Sequence, residues 1–375
     1  MENKFTKNNT LAIKGLAIFL LVAYHCLSSE QRLFGASINF WPLSQTTAMR
    51  IFLCMETCVG LFVFLSVYGM TLSVKKQYTN FEFTPHEGMV FTVKRYVHLV
   101  FTFLLPYIFC VGVTSYLGMS RYRGGTYEKM VARLADILCV GNIFRIGKLI
   151  ETWWYLSLEV VLIVFLPVMI KLYKKCGWLL VVMCLLPGSF VFLEGDERMI
   201  KYLLLFPLAI CFADNHVLER LKAFCIVKSF WLNKILKFVI LTVITLLTYK
   251  IFLAEWGLTH FKLLLNGILP ILVIWWAYEF LICIPGISHV LEFFGKHSAD
   301  IFYVHTFIRA MWLKKMTYSF EYAWQVWLFV LMVSLGISLF LDGIRKLTHY
   351  NQITGKFVKR IVSWCDRALY SLTAG

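Results

Sequence analysis

Apolar residues along this chain come in long runs separated by short charged segments, not in alternation. A helix needs about 20 apolar residues to cross a bilayer core. Runs of that kind predict ten spans, at about 11–27, 49–74, 96–117, 152–170, 177–193, 199–213, 235–253, 263–284, 299–313 and 324–341. The sixth is short and reads as tilted or re-entrant. The ten-residue alternating strands of a membrane barrel are absent. The expected fold is therefore an all-α integral membrane protein with about ten transmembrane helices. The first run is not a cleaved leader: Lys14 lies within it, no small-x-small site follows His25, and further runs come after it. Residues 1–342 read as one membrane domain. Residues 343–375 are too few for an independent core, and their pattern from Gly355 to Trp364 reads as a basic amphipathic tail with no separate domain.

Composition narrows the class. Hydrophobic residues make up 59% of the 375, charged residues 15%, and mean hydropathy is +0.72. A soluble domain carries about 45–50% apolar and 25% charged residues, so soluble, disordered and disulfide-scaffold classes are excluded. The net charge of +16 would suggest nucleic acid in a soluble protein, but here the Lys and Arg lie in loops between apolar runs, where anionic lipid headgroups account for them. Most of the 37 Lys and Arg fall in alternate segments counted from the N-terminus, which places both termini in the cytoplasm. The longest loop, 118–151, holds Arg121, Arg123, Lys129, Arg133, Arg145 and Lys148 and is expected to form an external lobe. The 11 Cys sit mostly within apolar runs with no CxxC, as small buried side chains do. No HExxH, GxGxxG or P-loop pattern is present, so no metal and no bound cofactor is expected.

Ionisable groups inside a span are costly and ask for a reason. Lys14 and His25 are eleven residues apart in the first span, which puts them on one helix face about 16 Å apart. An intramembrane imidazole can exchange a proton near neutral pH. Glu56, near the outer end of the second span, either pairs with His25 or Arg309 or orients the imidazole as in a triad. Glu159 lies a turn inside the fourth span, after Trp153 and Tyr155. His305 and Arg309, four apart, share a face of the ninth span behind Tyr303. They form either a structural pair or part of a binding site. Ser66 serves either helix packing or nucleophilic chemistry, with packing the simpler role.

Several stretches, in order, resemble the acyltransferase family 3 membrane proteins. LAIKGLAIFLLVAYHC (Leu11–Cys26) resembles the family's first span, a basic residue followed ten residues on by His. FVFLSVYGM (Phe62–Met70) resembles its second-span FFxxSG motif, and VKRYVHLVFTFLLPY (Val93–Tyr107) its basic pair before the third span. TWWYLSLEVVLIVFLP (Thr152–Pro167) resembles its Trp-rich fourth-span entry, and FFGKHSADIFYVHTF (Phe293–Phe307) its Gly-Lys-x-Ser…Tyr-x-x-His block. The family usually has Arg where Lys14 stands, Gly where Val67 stands, and often a second Arg at His98.

The resemblance implies an O-acyltransferase of the plasma or inner membrane that moves an acyl group, most simply acetyl, from cytoplasmic acyl-CoA to a hydroxyl of a lipid-linked or cell-surface glycan. It implies His25 as general base or acyl relay, with Lys14 and Glu56 beside it in the chemistry. Lys94 and Arg95 would meet the donor's phosphates. Ser66, Trp153, Tyr155, Glu159, Tyr303, His305 and Arg309 would bind the acceptor or support the site. The partners are then membrane lipids, acyl-CoA as co-substrate and a glycan acceptor; since the family often carries a soluble acyl-transfer domain that this chain does not show, either the chain acts alone or a separate partner protein performs that step, and no nucleic acid is among them. Two other readings stay open. Intramembrane Lys, His and Glu also suit a proton-coupled transporter or flippase of a small molecule or lipid-linked sugar, although no paired half-chain repeat is present. A non-enzymatic sensor on the same frame is the third.

Overall fold

The computed structural model describes residues 4–119, 122–146, 148–189, 197–254 and 261–373. Among them the secondary structure is helical, with no strands. The chain runs α1 (Lys7–Leu27), α2 (Glu30–Leu33), α3 (Gln45–Cys54), α4 (Thr57–Gln77), α5 (Pro85–Tyr116), α6 (Thr126–Ile137), α7 (Trp154–Cys176), α8 (Leu179–Ser189), α9 (Glu197–Ile200), α10 (Leu205–Asp214), α11 (Val217–Ala223), α12 (Phe230–Phe252), α13 (Lys262–Trp276), α14 (Pro285–Phe307), α15 (Lys314–Thr317), α16 (Ala323–Leu347) and α17 (Tyr350–Thr373). π turns Ala277–Leu281 and Ile308–Trp312 extend α13 and α14. Among the described residues, 7 helical stretches are long and apolar enough to cross a membrane. An eighth counts if Arg198–Asp214 and Val217–Ala223, bent by 67°, form one span. The fold is thus all-α and multi-pass. The end of the expected fifth span, from residue 190, and the loop residue Arg121 lie outside the described residues.

Contacts divide the chain into two compact units. The first comprises Met1–Thr79 and Met169–Ser298. Here α4 is central, packed by α1, α10 and α13, and α12 packs on α13. Two glycines join α1 to the first part of α14. A Cβ on Gly15 would overlap the Leu291 carbonyl, and one on Gly295 would overlap the Leu11 carbonyl. Backbone touches backbone at both places, which only glycine permits. Gly295 is the glycine of the Gly-Lys-x-Ser block, and its work here is packing. A buried ion pair, Lys237 Nζ to Glu279 at 2.9 Å, joins α12 to the π turn after α13. The same ammonium donates to the Leu221 and Lys222 carbonyls, capping the C-terminal end of α11, where a cation is favoured.

The second unit comprises Asn80–Val168 and Ala299–Gly375. Helix α17 lies along α5: Tyr350 Oη donates to the Phe101 carbonyl at 2.7 Å and Phe357 stacks on Phe101. The segment read as a tail is thus the end of α16 and a helix docked on α5. Asp300 is buried and takes a two-pronged pair from Arg345, 2.7 Å on each side, plus a hydrogen bond from Ser338.

Two expectations for this unit need correction. Helix α5 begins at Pro85, well before residue 96, so Lys94 and Arg95 sit more than two turns inside the helix. Thr84 and Glu87 cap each other and Pro85 occupies the first helical position, a start signal that an apolar window does not register. Second, segment 118–151 does not stand off as a lobe. It turns back along α5: Tyr122 meets Tyr107 through their hydroxyls at 3.2 Å, and Tyr96 Oη donates to the Leu138 carbonyl at 3.0 Å. Tyr107 and Tyr96 are about 16 Å apart along the helix. Asp136 anchors the fold-back, accepting from Tyr122 Oη at 2.7 Å and from the Leu149 amide at 3.0 Å.

Candidate functional site

The first unit carries Lys14, His25, Glu56 and Ser66. Helix α1 starts at a reciprocal Thr6–Asn9 cap and contains both Lys14 and His25, so the eleven-residue spacing puts them on one face; both are half-buried. Beyond Leu27 the chain reverses through α2, with Phe34 at φ 54° and Gly35 at φ 84°. The reversal drops Arg32 onto the end of α1. Its Nη1 donates to the Tyr24 carbonyl at 3.1 Å and lies 2.7 Å from His25 Nδ1, and its guanidinium stacks 4.1 Å from the Tyr24 ring centre. A guanidinium can only donate. Nδ1 is therefore the acceptor, and the neutral ring carries its proton on Nε2.

Glu56 is held in an ion pair by Lys201. Glu56 and Arg32 both act electrostatically on Tyr24, and Glu56, Lys201 and Arg32 all act on Cys58. Two cations, one carboxylate and one imidazole thus share the C-terminal end of α1 and the N-terminal end of α4. Ser66 lies half-buried further along α4, among buried neighbours including Leu65 and Val67.

The second unit carries the remaining candidates. Trp153 is buried between Phe103, Tyr107 and Phe307, and its Nε1 donates to the Tyr303 carbonyl at 3.3 Å. Tyr155 Oη donates to Glu159 at 3.2 Å, and Glu159 is an electrostatic partner of Arg95. Lys94 is exposed and Arg95 half-buried. His305 is fully buried. Its Nδ1 donates to the Phe302 carbonyl at 2.8 Å, which leaves Nε2 to accept from Thr306 at 3.0 Å. Arg309 falls in the π turn Ile308–Trp312, where α-helical spacing no longer holds, and reaches Tyr318 Oη at 3.3 Å. Asp300, five residues before His305, is taken by Arg345.

Sequence reasoning missed Arg32 and Lys201. Arg32 stands seven residues past His25, outside the apolar run, and the Phe34-Gly35 turn after it was the available signal. Lys201 meets Glu56 across 145 positions, and nothing local announces that.

These features define an all-α, multi-pass membrane protein with charged and titratable groups gathered at the ends of its spans. The family model described as an acyltransferase domain matches residues 12–343. The chain belongs to that family, acyltransferase family 3, and is a membrane acyltransferase. No match to a curated protein or to a solved structure was found.

Proposed function

We propose that this acyltransferase moves an acyl group, most simply acetyl, from cytoplasmic acyl-CoA to a hydroxyl of a lipid-linked or cell-surface glycan, in the plasma or inner membrane. The observation that carries this reading is the Arg32–His25 contact at the end of α1, in a chain whose acyltransferase match begins at residue 12. His25 handles the hydroxyl proton. In the neutral ring the basic atom is Nδ1, so the acceptor hydroxyl enters there in place of the Arg32 Nη1. The hydroxyl oxygen attacks the thioester carbon, the C–O bond forms and the C–S bond breaks. The proton passes to Nδ1 and then to the departing thiolate. Arg32, displaced but adjacent, faces the negative charge that builds on the carbonyl oxygen. Lys14 adds positive charge on the same helix face, and Glu56, neutralised by Lys201, holds the position of α4. Lys94 and Arg95 suit the phosphates of the donor, while Trp153, Tyr155, Glu159, Tyr303, His305 and Arg309 shape the second unit for substrate. A separate protein would supply any further acyl-transfer step.

Free-thiol release from acetyl-CoA by purified protein in nanodiscs, with a lipid-linked glycan supplied, tests the reading. Release that falls at least 100-fold in His25→Ala, with unchanged thermal unfolding, is the expected result, since proton transfer by a positioned side chain contributes about 10²–10⁴. No release across several acyl-CoA donors would replace the reading with transport.

A further inference from the structure

The first unit holds a cleft of about 770 Å³ between α1, α3 and α12 that the acyl-transfer chemistry does not use. Its walls are apolar: Leu20 from α1, Ile51 and Met55 from the α3 side, Leu246 and Leu253 from the α12 side. Two cations line the same cleft from opposite sides, Arg50 on α3 and Lys250 in the last turn of α12. Among the described residues neither is held in an ion pair, and both are exposed. Ile51 and Leu246 are 45% and 62% exposed. Helix α12 is the least buried of the candidate spans, with 17% of its apolar window inside the protein, so the cleft faces the bilayer. Its shape is set from within: Tyr249 Oη donates to Thr57 Oγ1 at 3.1 Å and ties α12 to α4.

An apolar trough with two cations fits an amphiphile with one negative headgroup. We propose that this cleft is a binding site for an anionic phospholipid of the surrounding leaflet. Its phosphate sits between Arg50 and Lys250, and one acyl chain lies along Leu20, Met55 and Leu246. Basic residues between spans favour anionic headgroups, and a zwitterionic lipid would bring its own cation against these two.

Native mass spectrometry of the detergent-purified full chain, titrated with equal amounts of phosphatidylglycerol and phosphatidylcholine, reads the preference. The expected result is retention of phosphatidylglycerol over phosphatidylcholine by on the order of tenfold. Arg50→Gln with Lys250→Gln should reduce that ratio to near parity. Leu246→Trp, which fills the trough from an exposed position, should reduce the number of bound lipids without removing the charge. Equal retention by the unaltered chain overturns the proposal, as does a preference that survives the double variant, or a bound-lipid count unmoved by Leu246→Trp. A polyprenyl phosphate that displaces phosphatidylglycerol at equal concentration also overturns it, because the cleft would then belong to a lipid-linked substrate. Thermal unfolding of each variant separates loss of binding from loss of fold.

Discussion

At the residue scale, the arrangement around His25 turns on which ring nitrogen carries the proton. Arg32 Nη1 at 2.7 Å assigns the lone pair to Nδ1. Replacing Arg32 with Ala should lower thiol release, and Arg32→Lys should fall between Ala and the native chain, since Lys keeps the charge without the planar fork. 15N-labelled histidine provides a readout independent of turnover: an unprotonated Nδ1 in the native chain, and loss of that fixed tautomer in Arg32→Ala. Asp136 makes a second residue-scale prediction. Burial pushes its carboxyl up to about 6, against the opposing pull of the Leu149 amide, the Tyr122 hydroxyl and Lys148. A carboxyl raised in the fold favours folding most when protonated. Its contribution is complete below the unfolded value of 3.8 and is lost as pH rises through 6, a change on the order of 2–3 kcal/mol. The thermal midpoint of Asp136→Asn should therefore depend less on pH between 4 and 7 than that of the native chain. Asn still accepts from Tyr122 and Leu149 and has no proton to lose.

At the element scale, close helix approach and buried charge set the architecture. Gly295→Ala puts a methyl group into the Leu11 carbonyl. The blocking atom is backbone, so α1 and α14 must separate, at about 1–3 kcal/mol, and a lower unfolding temperature would register it. His25 rides on α1, so activity should fall with it. Arg345→Ala strands a buried Asp300 with Ser338 as its one remaining donor among the described residues, and should cost about 3–5 kcal/mol, whereas replacing both partners by apolar residues should cost much less. Apolar run length located most spans, but it placed the starts of α5 and α14 too late. Helices begin at caps such as Thr84 with Glu87, and caps are polar, so a hydropathy window starts only where lipid-compatible residues begin. The fold-back of segment 118–151 was hidden for a related reason: its contacts with Tyr96 and Tyr107 are hydroxyl hydrogen bonds between positions far apart in sequence.

At the scale of the whole molecule, the distribution of Lys and Arg predicts which end of each span faces the cytoplasm. Cys225 and Cys283 are exposed, whereas Cys26, Cys58, Cys110, Cys139, Cys184 and Cys211 are buried. A bulky maleimide should therefore label Cys225, in the basic segment after α11, only once the membrane is permeabilised. Labelling of Cys225 in intact cells would reverse the orientation.

The sequence by itself determined the class of this protein. Continuous apolar runs of about 20 residues without alternation leave helices as the form that satisfies every backbone amide in lipid, since a barrel needs alternating strands. The order of short motifs determined the family, and the Lys14–His25 spacing determined a shared helix face. Only the tertiary structure decided what each charged group meets. Arg32 reaches His25 because the chain reverses after Leu27, Lys201 reaches Glu56 because α4 packs against α10, which the turns holding Lys201 precede, and Arg345 reaches Asp300 because α16 packs beside the π turn that extends α14. Those partners are set by where helices cross, and helix crossings follow from side-chain volume and glycine contacts distributed over the whole chain, which no local pattern encodes.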